Sequence, residues 1–205
     1  TAMMSTEAAL ERLRDPAAEV SAHYLIGEDG RIWRLVPETA RAWHAGAGRW
    51  GRTDDVNSRS IGIELANPGP LLDFPPFPEP QMAALEGLLG QIMMRWKIAP
   101  EGVIAHSDMA PGRKADPGPK FDWRRLARQG LAIWPEADCT ESEAVPDWEA
   151  FRQTAARIGY AMPEDGGWET VLAAFRLRFM PGAKGPLTRL DLAKAAAIAA
   201  AVGKA

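Results

Sequence analysis

EVSAHYLIGEDGRIWRLVP, residues 19–37, decides how the first half of the chain folds. Two runs rich in apolar and β-forming residues, 19–27 and 31–37, flank Glu28-Asp29-Gly30. An Asp-Gly pair between such runs marks a tight hairpin, because glycine accepts the positive φ that the turn needs. Upstream, Ser5 is placed to cap a short helix over 6–14 with Ala9, Leu10 and Leu13 on one face. Downstream, residues 38–59 read as a loop containing Ala42-Trp43-His44-Ala45-Gly46, and SIGIELA at 60–66 reads as a third strand that carries one acid, Glu64. A proline-rich loop, 68–80, leads into the strongest helical pattern, 81–97. Residues 103–105 read as a short strand ending at His106. SDMAPGRKADPGPK at 107–120 is broken so often by proline and glycine that no regular structure is expected, and a short helix follows over 121–128. This order of elements predicts an α/β domain with a mixed central sheet flanked by helices.

Periodicity lapses over 130–146, which reads as a linker, and returns in three helical patterns at 148–158, 168–179 and 187–202. The expected organisation is a first domain over 1–129, a linker over 130–146 and a small all-α three-helix bundle over 147–205 with its own core.

Composition narrows the partners. Residues 1–146 carry 16 Lys+Arg against 21 Asp+Glu, and the remaining 59 carry 8 against 6. Neither part has the basic excess that a phosphate backbone demands, so nucleic acid is not an expected partner. Cys139 is the single cysteine, which excludes an intrachain disulfide. No apolar run approaches the roughly 20 residues of a membrane-spanning helix, and a monomer is expected. The sequence opens on Thr1 as if inside a domain, so an upstream targeting or lipidation segment is compatible with it.

The chemistry must come from few residues. Of the three histidines, His106 ends a strand-like run and opens a stiff loop reaching Asp116. An imidazole and a carboxylate on one loop suit Zn²⁺, although capping or turn chemistry explains the same spacing. Glu64, if it faces inward, is a buried carboxylate suited to general-base work; facing outward it is ordinary. Lys114, two residues before Asp116, can stabilise an oxyanion or simply be a solvated lysine, and the planar fork of Arg113 suits a substrate carboxylate. His44, with Trp43 and Trp50 nearby, reads equally as a ligand-binding wall or as packing over a sheet edge. His23 reads as a buried, hydrogen-bonded core residue.

Four segments, VSAHYLI at 20–26, RAWHAG at 41–46, NSRSIGIELAN at 57–67 and HSDMAPGRKADPGPKFDW at 106–123, resemble in order the type 2 N-acetylmuramoyl-L-alanine amidases, the AmpD/AmiD kind, related to phage lysozyme-type amidases and peptidoglycan recognition proteins. The resemblance covers nearly all of 1–129, and the 147–202 bundle, with VLAAFRLRF, resembles the peptidoglycan-binding-type domain of AmiD-like members. It implies the amidase type 2 fold and zinc-dependent cleavage of the amide between muramic or anhydromuramic acid and L-alanine, in peptidoglycan or its fragments. It implies His106 and Asp116 as zinc ligands, Glu64 as the base and Lys114 at the oxyanion. Ala110 and Arg113 would meet the peptide stem, and His44 and Trp43 would line the groove. The family's first zinc ligand is a histidine in a pattern like HYT. Here only the Thr is present, at Thr1, so that histidine is expected upstream. The rival reading is a muropeptide-binding module without a complete metal site. A third is a metallohydrolase acting on unrelated small amides. Cytoplasmic recycling is the expected setting, with a periplasmic or outer-membrane-anchored one as the alternative.

Overall fold

The computed structural model describes residues 3–134 and 146–202. Helix α1, Thr6–Arg14, forms where its cap and apolar spacing require: the Ser5 hydroxyl accepts the Ala8 N–H at 3.2 Å, and Asp15-Pro16 ends the helix. Strand β1, Tyr24–Ile26, pairs antiparallel with β2, Ile32–Arg34, through the expected turn. Gly27 donates to the Arg31 carbonyl at 2.9 Å and Gly30 to the Gly27 carbonyl at 3.0 Å. Gly30 has φ 84°, and a Cβ there would also come within 2.6 Å of the Pro80 carbonyl oxygen. Strand β3, Ile63–Leu65, pairs parallel with β1, giving a mixed sheet in the order β2-β1-β3. Each strand is shorter than its apolar run.

The two faces of the sheet bury different helices. Leu25 and Ala66 pack with Ala9, Leu10 and Leu13 of α1 and with Trp33. Tyr24, Ile26, Ile63 and Leu65 meet α2, Glu79–Trp96, through Met82, Leu85, Leu89 and Ile92. Gln81 seats that helix: fully buried, its side-chain amide donates at 2.9 Å to the carbonyls of both Ile26 and Ala66. The helix begins two residues earlier than expected because Pro80 is compatible with a first turn, where no intrahelical N–H is needed. At its far end Arg95 and Trp96 donate to Glu38, which also accepts from the Tyr24 hydroxyl at 2.7 Å.

Two local expectations are corrected. Residues 103–105 form no strand: the Val103 N–H turns back to the Pro100 carbonyl, and the Ala105 N–H is taken by the Asp108 side chain at 2.9 Å. The loop beyond does contain regular structure, because His106–Met109 closes one helical turn, α3, before Pro111 is reached. The short helix α4, Trp123–Arg128, follows.

Helices α5, Trp148–Ile158, α6, Trp168–Phe179, and α7, Arg189–Val202, enclose Phe151, Ala155, Phe175, Phe179, Ala195 and Ile198. A buried ion pair joins two of them, with Arg176 Nε donating to Asp191 Oδ1 at 2.8 Å. Most of the expected linker lies outside the described residues. Of its described part, Ala132 is buried, Ile133 packs on the bundle, and Trp134 packs on both the bundle and the sheet-side core. The bundle is joined to the first domain by further contacts, described below.

Four donors hold the Glu38 carboxyl down at about 2, chiefly through its hydrogen bond to Arg95. A depressed value stabilises the fold above pH 4.5 and is lost as pH falls towards 2. With Arg95 partly in solvent, Glu38→Gln is expected to lower unfolding free energy at pH 7 by about 1 kcal/mol. Urea titrations across the acid range check this: the gap to the wild type should close steadily between pH 4.5 and 2.

Candidate active site

The site grows from the turn that opens at His106. The Asp108 carboxylate caps the turn at Ala105, and the Ala110 N–H closes it on the His106 carbonyl at 3.0 Å. The chain then bends at Gly112 and returns, and the Ser107 N–H donates to the Asp116 carbonyl at 3.1 Å. That backbone bond fixes both ends of the loop side by side. As a result His106 Nδ1 lies 2.5 Å from Asp116 Oδ2, the juxtaposition on which the sequence reading depended.

Burial works against ionisation of Asp116. The hydrogen bond and charge of His106, and the nearby charge of Lys114, outweigh it and hold the carboxyl at about 2. Asp116 is therefore an anion at neutral pH. Lys114 is half-buried, and its backbone N–H is bound to the Ala110 carbonyl.

Glu64 comes from the middle of β3. It is 8% exposed, so the inward reading holds, and it lies along the same cavity of about 420 Å³ as His44, His106 and Asp116. Burial raises its pKa, and the charge of His106 acts against that.

The three imidazoles form a row, with centroids 5.7 Å apart from His23 to His44 and 6.2 Å from His44 to His106. His23 is a core residue: its Nδ1 accepts the Gly62 N–H at 2.9 Å and its Nε2 donates to the Ala40 carbonyl at 3.0 Å. Both ring nitrogens are committed, so it cannot serve as a ligand without breaking the sheet edge. His44 is held by burial, and by the charges of His106 and His23, at about 4 and is neutral at pH 7. Its Nε2 is 3.4 Å from Ser60 Oγ, whose own proton goes to the Val56 carbonyl.

The remaining expected residues divide. Trp43 is 54% exposed, with its backbone pinned to Ser21. Ala110 is buried against Ala45, Val56 and Met109, so a substrate would meet its backbone rather than its methyl. Arg113 donates to the Ala45 carbonyl at 2.8 Å and to that of Ala47, tying the His44 loop to the His106 loop. In this structure Arg113 therefore serves as a brace, with part of its fork already committed.

The residues that sequence reasoning missed lie behind the loop. Asp108, with no exposure, accepts from the Tyr160 hydroxyl at 2.6 Å and from Arg178 Nη1 at 2.7 Å. These partners are 52 and 70 residues away, and no local pattern announces such a pair.

With the geometry in place, comparison with known proteins is decisive. The N-acetylmuramoyl-L-alanine amidase family model matches residues 1–119. The chain belongs to this family. As an amidase it is 39% identical over 185 residues to N-acetylmuramoyl-L-alanine amidase AmiD of Escherichia coli, covering 80% of this chain and 67% of the relative. It is also 39% identical over 107 residues to 1,6-anhydro-N-acetylmuramyl-L-alanine amidase AmpD of Enterobacter cloacae, but that match spans only 52% of this chain and 55% of the relative. The solved complex of E. coli AmiD with anhydro-N-acetylmuramic acid-L-Ala-D-gamma-Glu-L-Lys superposes with TM-score 0.88 at 35% identity, covering 98% of this chain and 86% of that one. AmpDh3 of Pseudomonas aeruginosa gives 0.87 at 33%, covering 97% and 87%. This amidase thus shares its helical bundle as well as its sheet domain with AmiD and AmpDh3.

The donor set suits zinc. An imidazole nitrogen and a carboxylate oxygen converge, and both are types that Zn²⁺ accepts. They are two donors, and among the described residues no group of three His, Cys, Asp or Glu is placed to hold a metal ion.

Gly62 is a tight point beside the site, because a Cβ there would fall 2.2 Å from the His44 ring. Gly62→Ala is expected to displace His44 and to cost about 1–3 kcal/mol. A thermal melt together with a crystal structure of the variant checks both effects; an unmoved ring at unchanged stability would contradict the packing described.

Proposed function

We propose that this amidase hydrolyses the bond between N-acetylmuramic or anhydromuramic acid and L-alanine, with zinc as its cofactor. The observation that carries the reading is the 2.5 Å approach of His106 Nδ1 to Asp116 Oδ2 beside the buried Glu64. His106 and Asp116 would hold the metal. When bound there, zinc supplies Lewis acidity towards water and the scissile carbonyl.

The chain's own residues perform the rest. Glu64, buried beside that pair, takes the proton from the attacking water and returns it to the departing alanine nitrogen. Lys114 offsets the negative charge that develops on the lactyl carbonyl oxygen. Neutral His44 and exposed Trp43 wall the groove where a sugar or peptide would lie. Arg113, through the part of its fork left by the Ala45 and Ala47 carbonyls, and the backbone at Ala110 meet the peptide stem.

Two named neighbours guide the choice of substrate. The AmiD structure contains an anhydromuramyl tripeptide, and a second AmpDh3 structure contains anhydromuramic pentapeptide. We take soluble anhydromuropeptides in a cytoplasmic recycling role as the natural substrate and setting. Activity on sacculi exceeding that on soluble fragments would point to the envelope instead. Among the described residues no helix is long and apolar enough to cross a membrane.

The role of Glu64 separates an enzyme from a mere muropeptide binder. Glu64→Gln should retain zinc and lower release of the L-alanine-headed peptide from anhydromuropeptides by at least about a hundredfold, the lower end of the range for a positioned acid-base group. His106→Ala should lose both zinc and turnover. Near-wild-type release by Glu64→Gln would overturn the base assignment.

A further inference from the structure

The buried contacts between the site loop and the helical bundle are specific rather than merely apolar. Asp108 lies two residues from His106 and is completely enclosed. One oxygen accepts the Tyr160 hydroxyl at 2.6 Å. The other accepts both the Arg178 guanidinium at 2.7 Å and the Ala105 N–H at 2.9 Å. Arg178 is 2% exposed and lies with its guanidinium carbon 4.0 Å from the centre of the Trp123 ring, while its Nε and Nη2 have no hydrogen-bond partner among the described residues. A cation buried with so few partners depends on its one carboxylate, and that carboxylate on it.

The same helix meets the loop again. Gly112 carries φ 78°, and a Cβ there would come within 2.7 Å of Thr170 Cγ2 in the first turn of α6. Tyr160 faces the His44 loop as well: its ring meets Trp50 edge-on at 5.0 Å, and the adjoining Gly159 carbonyl accepts the Gly51 N–H at 2.7 Å. Arg49 in turn donates to the Met109 carbonyl at 2.8 Å. Both loops that supply the candidate site are thus fastened to the bundle within a few residues of His44, His106 and Asp116.

We infer that helix α6 is the splint of the catalytic loop, and that Tyr160 and Arg178 are positioning residues that set the direction of His106 by gripping Asp108. The bundle is then a working part of the site, whatever else it binds. The inference rests on the reading of His106 as a zinc ligand. Groups that orient metal ligands typically change metal affinity by about 10- to 100-fold when removed. The clamp acts through one backbone turn rather than by touching the ligand, which places its effect near the lower end of that range.

The test measures zinc affinity of the full chain by competition with a chelator, beside kcat, KM and thermal melting. Tyr160→Phe removes one hydroxyl and leaves the ring packed. Arg178→Met removes the buried cation, Arg178→Lys keeps the charge, and Ile198→Val trims the bundle core far from the clamp. Tyr160→Phe and Arg178→Met are expected to weaken zinc about 10-fold and to lower kcat with KM little changed, with Arg178→Lys in between. Ile198→Val should lower the melting temperature alone. If Arg178→Met does not fold, Tyr160→Phe decides alone. Wild-type zinc affinity in Tyr160→Phe, while His106→Ala abolishes binding, overturns the splint and leaves the proposed function standing. Zinc affinity unchanged in His106→Ala overturns both.

Discussion

Asp108 is the constraint around which the chain is organised. A carboxylate with no solvent contact must be compensated, and breaking a buried ion pair by removing one partner typically costs about 3–5 kcal/mol. The compensation here comes from three directions: the Ala105 N–H within its own turn, the Tyr160 hydroxyl after α5, and the Arg178 guanidinium of α6. Satisfying that one group therefore fixes the helical turn at His106, seats the bundle and stacks Arg178 on Trp123 of α4. Burial together with the negative charge of Asp108 also drives the Tyr160 hydroxyl well above its ordinary pKa, so it remains a donor throughout the working range.

From that anchor the site assembles by short steps. The turn presents His106, the Ser107–Asp116 backbone bond returns the loop, and Arg113 pulls the His44 loop against it. The sheet contributes Glu64 from β3, whose neighbours in the strand point to the α2 face while Glu64 shares the parity of Gly62 and Ala66. Alternation along the strand would have suited an outward carboxylate equally well. The face opposite α2 is not simply solvent: α1 covers Leu25 and Ala66 there, and Glu64 lines the cavity with His44 and His106. Precise placement of an acid, a base and a cation by rigid elements is what amide hydrolysis requires, because the reacting groups must already be oriented before the barrier is met.

What the sequence disclosed depended on whether the signal was local. Helices α1, α5 and α6 lie where their periodicity placed them, and Ser5 and Asp147 accept backbone N–H groups in the first turns of α1 and α5. The hairpin was legible from Asp29-Gly30 for the same reason. The run at 103–105 was apolar enough for a strand, but ladder pairing is a tertiary matter that no window of three residues contains. The turn at 106–109 was hidden by the prolines and glycines that follow it, and its stabilising group, Asp108, finds two of its partners more than fifty residues away. His106, Asp116 and Glu64 could be named from the resemblance. That Arg113 braces two loops, and that the bundle reaches the site, could come only from coordinates.

The central claim is that His106 and Asp116 share one divalent cation. Crystals of the full chain grown with zinc, with an anomalous difference map collected at the zinc edge, test it directly. The account requires a peak about 2.0–2.2 Å from both His106 Nδ1 and an Asp116 carboxylate oxygen. Zinc bound elsewhere in the molecule, with that pair still joined only to each other, would contradict it.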